Sequence, residues 1–176
     1  TVNNGAVLDI TNVDVVFGEC AGIVFQGGGW LRSNNSVYRP CDVDQTWKGL
    51  RFIGPGKFDN LVNECTFKNA EVALYFQQTA DAVISANLFS NCNYGIRVEG
   101  HNNFNHPISG NRFVTEQFFP VWDCPTKYSF INNSSSYGIW SSTTRFREQI
   151  SQNNFVNSWG NSIPQTHGIY QLNSGS

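Results

Sequence analysis

Residues 89–98 read FSNCNYGIRV and residues 67–76 read FKNAEVALYF, one pattern written twice at a distance of 22 residues. Each copy has a large apolar residue, then Asn two places on, a small residue further along, and two apolar residues that bracket an outward place. A fixed period constrains a fold more than any other sequence feature, because each unit must bury its apolar face against a copy of itself. With the Phe as origin, one copy is Ile84, Asn87, Phe89, Asn91, Gly95, Ile96 and Val98. Another is Val62, Cys65, Phe67, Asn69, Ala73, Leu74 and Phe76. Upstream, Tyr38, Cys41, Val43, Gln45, Gly49, Leu50 and Phe52 fit with Val43 as origin, and Ile10, Val13, Val15, Gly22, Ile23 and Phe25 fit with one extra residue. Downstream, Ile108, Asn111 and Phe113 restart the pattern. A looser copy carries Tyr128, Phe130, Asn132, Gly138 and Ile139, and a last one carries Ile150, Asn153, Phe155 and Asn157 before GIY at 168–170.

Within each copy, short runs such as IRV, LRF and CTF alternate apolar and polar residues, the period of a half-buried strand. Asn, Gly and Ser separate the runs, and Gly and Asn tolerate the positive φ of tight turns. Such units are coils of a parallel β-solenoid, and about seven of them at roughly 4.8 Å per coil make a rod about 34 Å long. The origin, the place two before it and the two bracketing apolar places are expected to point inward. Asn69 and Asn91, two places after the origin, are expected to form a corner amide ladder. The Gly place is expected where the chain turns too sharply for a Cβ. A β-propeller needs about 40 residues per blade, and a sandwich would not repeat Asn and Gly at fixed offsets.

Composition fits this reading. Charged residues are 14% of the chain and aromatic residues 14%, while Asn occurs 22 times, so neutral amides and hydroxyls build the surface. A formal net charge of −2 offers no basic surplus for nucleic acid. No run of 18 apolar residues argues for membrane insertion. Five cysteines cannot all pair with one another. Cys41 and Cys65 both fall two places before an origin and are expected to stack, as reduced thiols in preference to a disulfide; Cys20, Cys92 and Cys124 are expected to stay unpaired.

The runs WKGLRF, NECTFKNAEVALYF and NLFSNCNYGIRV resemble the β-helix repeat of the pectate-lyase-like superfamily. They are also similar to β-helix regions of exported Bacteroidota surface proteins. The resemblance covers residues 10–170 and implies a right-handed coil. The expected fold is therefore an all-β, single right-handed parallel β-helix of about seven coils over residues 1–176, part of a longer secreted or cell-surface protein. The superfamily includes lyases, glycoside hydrolases, phage tailspikes and adhesins, so the fold alone does not choose a function. Its lyases use Ca²⁺-binding acids and a basic proton abstractor, and no position here matches that motif.

The candidate binding face is an outward column, Arg51, Tyr75, Arg97, Trp140 and Tyr170, with Trp122 as a further member and Gln77, Glu99 and His101 flanking it. Aromatic planes stack on sugar rings and guanidinium groups clamp carboxylates; the plain alternative is that bulky residues shield the sheet. Asp59 and Asp81 share one offset and form a candidate carboxylate pair, for hydrolysis or Ca²⁺, against the simpler role of capping turn amides. Asp42 and Asp44 carry the same two readings. His101, His106 and His167 show no metal-ligand spacing, and Asn34, Asn132 and Asn133 head glycosylation triplets. The expected function is a noncatalytic rigid or adhesive module touching a polysaccharide or glycan, able to stack end to end or continue into further domains. A polysaccharide lyase or glycoside hydrolase and a phage tailspike fragment are the alternatives.

Overall fold

The computed structural model describes residues 1–3, 5–54, 60–78, 80–100, 104–115, 137–142, 144, 146, 150–157 and 167–172. The strands fall into rows of three. The first row is β1 (Val7–Thr11), β2 (Asp14–Phe17) and β3 (Gly22–Phe25), and the second is β4 (Trp30–Asn34), β5 (Val37–Pro40) and β6 (Gly49–Ile53). The third is β7 (Asn60–Asn63), β8 (Thr66–Lys68) and β9 (Val72–Gln77), and the fourth is β10 (Ala82–Ser85), β11 (Leu88–Ser90) and β12 (Tyr94–Glu99). The fifth is β13 (Ile108–Ser109), β14 (Arg112–Thr115) and β15 (Tyr137–Ser142), and the sixth is β16 (Ile150–Ser151), β17 (Asn154–Asn157) and β18 (His167–Leu172). Every third strand returns to the same sheet. The result is three parallel six-stranded sheets, β1-β4-β7-β10-β13-β16, β2-β5-β8-β11-β14-β17 and β3-β6-β9-β12-β15-β18. No helix occurs among the described residues. This arrangement is compatible with a parallel β-helix solenoid.

The repeat offset converts directly into stacking. Phe67 is in register with Phe89, Phe89 with Phe113, and Phe113 with Phe155. Their ring centroids lie 5.2, 4.8 and 4.9 Å apart, close to the spacing of adjacent strands. A second stack joins Phe25, Phe52 and Phe76 at 4.7 and 4.6 Å. Both stacks belong to one apolar core enclosed by the three sheets.

Several sequence readings are corrected by the packing. Val43 is not an inward origin: it is 75% exposed, and Tyr38 holds the place in register with Phe67, their rings 4.9 Å apart. The chain then runs through an exposed turn, with Asp42 and Asp44 outward on it, until Trp47 re-enters the core. The Trp47 indole stacks 4.2 Å from Phe17 and donates its Nε1–H to the Lys68 carbonyl. A Tyr ring fits the aromatic column where a Val would leave a gap, and Trp47 seals the turn. Downstream the register recovers, because Leu50, Arg51 and Phe52 pair with Leu74, Tyr75 and Phe76 as expected.

Cys41 moves with that turn. It is exposed, while Cys65 is buried, and the two do not stack; both are free thiols. Ser36, two places before Tyr38, is the residue beside Cys65, and the Thr66 N–H donates to its carbonyl. Cys92 is also a free, buried thiol, but Cys20 is disulfide-bonded, against expectation. An odd cysteine count excludes full pairing and leaves a single bridge open. Burial pushes the Cys92 thiol up to about 12 and raises that of Cys65, so neither holds thiolate near pH 7. Native labelling with an alkylating reagent, read by peptide mapping, is expected to modify Cys41 and to spare Cys65 and Cys92 until the chain is denatured.

The amide ladder exists at another place. Asn69 and Asn91 adopt φ of 54° and 53° at a half-buried corner, and Asn69 Nδ2 donates to the Val43 carbonyl. The stacked amides are Asn87, Asn111 and Asn153, two places before the origin. Asn87 Nδ2 donates to Asn111 Oδ1 at 2.9 Å and Asn111 Nδ2 to Asn153 Oδ1 at 3.0 Å. At this corner the strands of the first sheet hand over to the second, so inward backbone groups lack sheet partners, and the amides supply them. The residue just before each such place is left-handed: Asn12, Asn35, Glu64, Ala86 and Gln152, with Gly110 in the same column. A Cβ is costly there. Ala86→Gly, at φ 55°, is accordingly expected to stabilise the fold by about 0.5–1 kcal/mol, seen as a raised thermal midpoint.

The small-residue column has two causes: Gly49 sits at φ 96°, the sharp turn that was expected, while Gly95 and Gly138 are small for another reason. Gly95 and Gly138 are not sharp turns. A Cβ on Gly95 would lie 2.5 Å from the Phe113 ring, and one on Gly138 would lie 2.2 Å from the Phe155 ring. The aromatic stack leans on these positions and leaves no volume. Gly138 and Ile139, read as the end of a separate copy, belong to the fifth row: Ile139 is in register with Ile96. The described strands thus fill six rows where about seven copies were counted; Tyr128, Phe130 and Asn132 lie outside the described residues.

Candidate ligand-binding face

The outer side of the third sheet carries the predicted column in register. Arg51 pairs with Tyr75, Tyr75 with Arg97, Arg97 with Trp140, and Trp140 with Tyr170. Parallel pairing places equivalent residues side by side, so equal offsets in the repeat become one line of side chains. Gln77 and Glu99 form the next line. Trp122 and His101 lie outside the described residues.

The column is outward but largely covered. Arg97 is 7% exposed and Tyr75 is 8% exposed, where the sequence reading had an exposed outward column. The reason lies in a third line that offsets alone did not flag, Val72, Tyr94 and Tyr137. With Tyr75 these residues form a second apolar cluster, and Trp140 packs against it. The Arg97 guanidinium sits 4.5 Å from the Trp140 ring centroid, 5.1 Å from Tyr94 and 5.2 Å from Tyr75, a desolvated cation–π arrangement. Tyr94 and Tyr137 stack at 5.0 Å. The recurring YGI of residues 94–96 and 137–139 was the available signal for this line.

Hydrogen bonds tie the lines together. Arg97 donates from Nε to Glu99 Oε1 at 3.0 Å and also from Nη2. The Tyr75 hydroxyl donates to Glu99 Oε2, and Gln77 Nε2 donates to the Tyr75 oxygen at 2.7 Å. Arg51 Nε donates to Gln77 Oε1 at 2.8 Å. Burial, reinforced by Glu99, pushes the Tyr75 phenol well above its usual range. Glu71, buried near this cluster, has its carboxyl raised by burial, with Lys48 and Arg97 pulling it back. The face becomes accessible toward its far end: Trp140 is half-buried and Tyr170 is exposed.

The carboxylate candidates divide. Asp59 lies outside the described residues. Asp81 Oδ2 accepts from the Asn105 N–H at 2.8 Å and from Asn105 Nδ2 at 3.1 Å, Oδ1 accepts from the Ala82 N–H at 2.9 Å, and His106 Nδ1 lies 3.1 Å away. That is the set of contacts of a loop-capping acid. Among the described residues no group of three His, Cys, Asp or Glu is placed to hold a metal ion. Asn34 is half-buried, and its Oδ1 accepts from Asn63 Nδ2; Asn132 and Asn133 lie outside the described residues. No protein-family model, curated protein or solved structure matches the chain.

Proposed function

We propose that this chain is a noncatalytic module of a secreted or cell-surface protein, a right-handed parallel β-helix of the pectate-lyase-like kind that acts as a rigid adhesive spacer. Glycan contact is assigned to the accessible end of the outer column, Trp140 and Tyr170, with Arg51 at its other end. The observation that carries this reading is the in-register column itself, whose polar groups are engaged within the face: Glu99 takes Arg97 and Tyr75, and Gln77 takes Arg51. What remains toward solvent is aromatic surface, which suits stacking on sugar rings. The disulfide at Cys20 supports an oxidising compartment.

The test is a glycan array of the purified chain, paired with product assays on acidic polysaccharides. Trp140→Ala and Tyr170→Ala are each expected to weaken binding at least tenfold without moving the thermal midpoint by more than a few degrees. Tyr75→Ala, in contrast, is expected to cost about 3 kcal/mol of stability, because it empties a buried aromatic site. Release of oligosaccharides would replace the module with a lyase or hydrolase. Binding that survives both aromatic changes would move the contact off this face.

A further inference from the structure

The amide ladder has a direction. The Cys65 N–H donates to Asn87 Oδ1 at 2.8 Å, the Asn87 N–H to Asn111 Oδ1 at 3.0 Å, and the Asn111 N–H to Asn153 Oδ1 at 3.0 Å. Each amide nitrogen also reaches back one row to a carbonyl, Asn87 to Val62, Asn111 to Ile84 and Asn153 to Ile108. It then reaches forward to the next side-chain oxygen. At Asn87 and at Asn111 two donors, the backbone N–H and one Nδ2–H, therefore point at a carbonyl oxygen supplied by the row that follows. At Asn153 no described row follows, and both donors face the end of the stack formed by β16, β17 and β18.

The apolar interior is open at the same end. Ile169 continues the column of Ile96 and Ile139. Those two are fully buried, whereas Ile169 is 53% exposed. Phe155 and Ile150 are only partly covered. The opposite end differs. Ile10, Phe17 and Phe25 are buried there, and Val2 bridges to Phe25 while its N–H donates to the Val24 carbonyl. The ladder place in that first row is Val13, whose N–H donates to Ser36 Oγ and whose side chain offers no acceptor.

We infer that the end formed by β16, β17 and β18 is a docking surface for one more parallel row of the same repeat. The incoming row must place a side-chain carbonyl oxygen over Asn153 and aliphatic or aromatic residues over Ile169 and Phe155. A second copy of this chain, stacked head to tail, is the wrong occupant, because it brings Val13 to the ladder place and strands both Asn153 donors against a hydrocarbon. The inference rests on the rod-like reading above and adds which end of the rod accepts a further row and what that row must carry.

The experiment appends to the full chain, after Ser176, a copy of its own residues 80–100, which carry Asn87 at the ladder place. A second version carries Leu there. Hydrogen exchange of the Asn153 backbone amide is the readout. The Asn version is expected to slow that exchange at least tenfold relative to both the unmodified chain and the Leu version. Equal slowing by both versions, slowing by neither, or an Asn153 amide already protected in the unmodified monomer would overturn the inference. So would an unmodified chain that dimerises with Asn153 protected, since the occupant would then be a second copy. Glycan binding does not enter this readout, so failure of the adhesive reading and failure of the docking surface are seen separately.

Discussion

Gly49→Ala is expected to destabilise the fold by at least about 4 kcal/mol, enough to leave a marginal domain unfolded at physiological temperature. Gly49 has φ 96°, and a Cβ there would lie 1.6 Å from the Val72 carbonyl oxygen and 2.7 Å from its carbon. Two independent costs add. The backbone sits where L-residues are strained, and the obstructing atoms belong to the backbone of the next row, which cannot rotate away as a side-chain tip could. Relief requires β6 and β9 to separate, and that breaks a parallel ladder in the middle of the third sheet. Gly110→Ala is the matched control. It shares a positive φ, 66°, but its nearest neighbour would be 3.7 Å away, so it is expected to cost about 1 kcal/mol. Urea melts of the two variants measure the difference directly. Equal destabilisation would mean that φ alone matters and that the row spacing can yield.

Asn111→Ala is expected to cost about 3–5 kcal/mol, measured by the same melts. The side chain is fully buried and serves four partners. Its Oδ1 accepts from the Asn87 N–H and Nδ2, and its Nδ2 donates to the Ile84 carbonyl and to Asn153 Oδ1. Truncation strands the first three in the interior, and a buried unsatisfied group costs about 1–3 kcal/mol. Asn69→Ala, at the half-buried corner, is expected to cost about 1 kcal/mol or less. The pair Asn87→Ala with Asn111→Ala is expected to be less harmful than the sum of its parts, since Asn87→Ala removes the Nδ2 donor that Asn111→Ala strands. Additive costs would show that the amides act as separate caps and not as a chain.

The contrast between Asn69 and Asn111 also shows what a single sequence discloses. Both Asn places recur at fixed offsets, so periodicity could not separate them, and the ladder was assigned to Asn69 and Asn91, the wrong place. The backbone decides: a residue at φ near 54° turns its side chain away from the line that its inward neighbours follow. The aromatic columns were legible because alternation and a 22-residue offset fix both direction and partner. Val43 misled because it fits the pattern in kind while Tyr38 fits the space, and only volume separates them. The column from Arg51 to Tyr170 was legible as a line. Its accessibility was not, because the burial of Arg97 comes from Tyr94 and Tyr137 in a neighbouring line, and exposure is a property of several lines together. The disulfide at Cys20 left no trace in any repeat offset.

The ladder steps differ in how much chain they close. Cys65 and Asn87 are 22 residues apart, while Asn111 and Asn153 are 42 apart, yet the donor–acceptor distances are 2.8 and 3.0 Å. For a flexible connection the entropy of closure grows only with the logarithm of its length, so the longer step costs about 0.6 kcal/mol more than the shorter one. The hydrogen bond and the Phe113–Phe155 stack made on closing it offset that easily. Circumference is therefore a soft variable of this architecture and pitch a hard one.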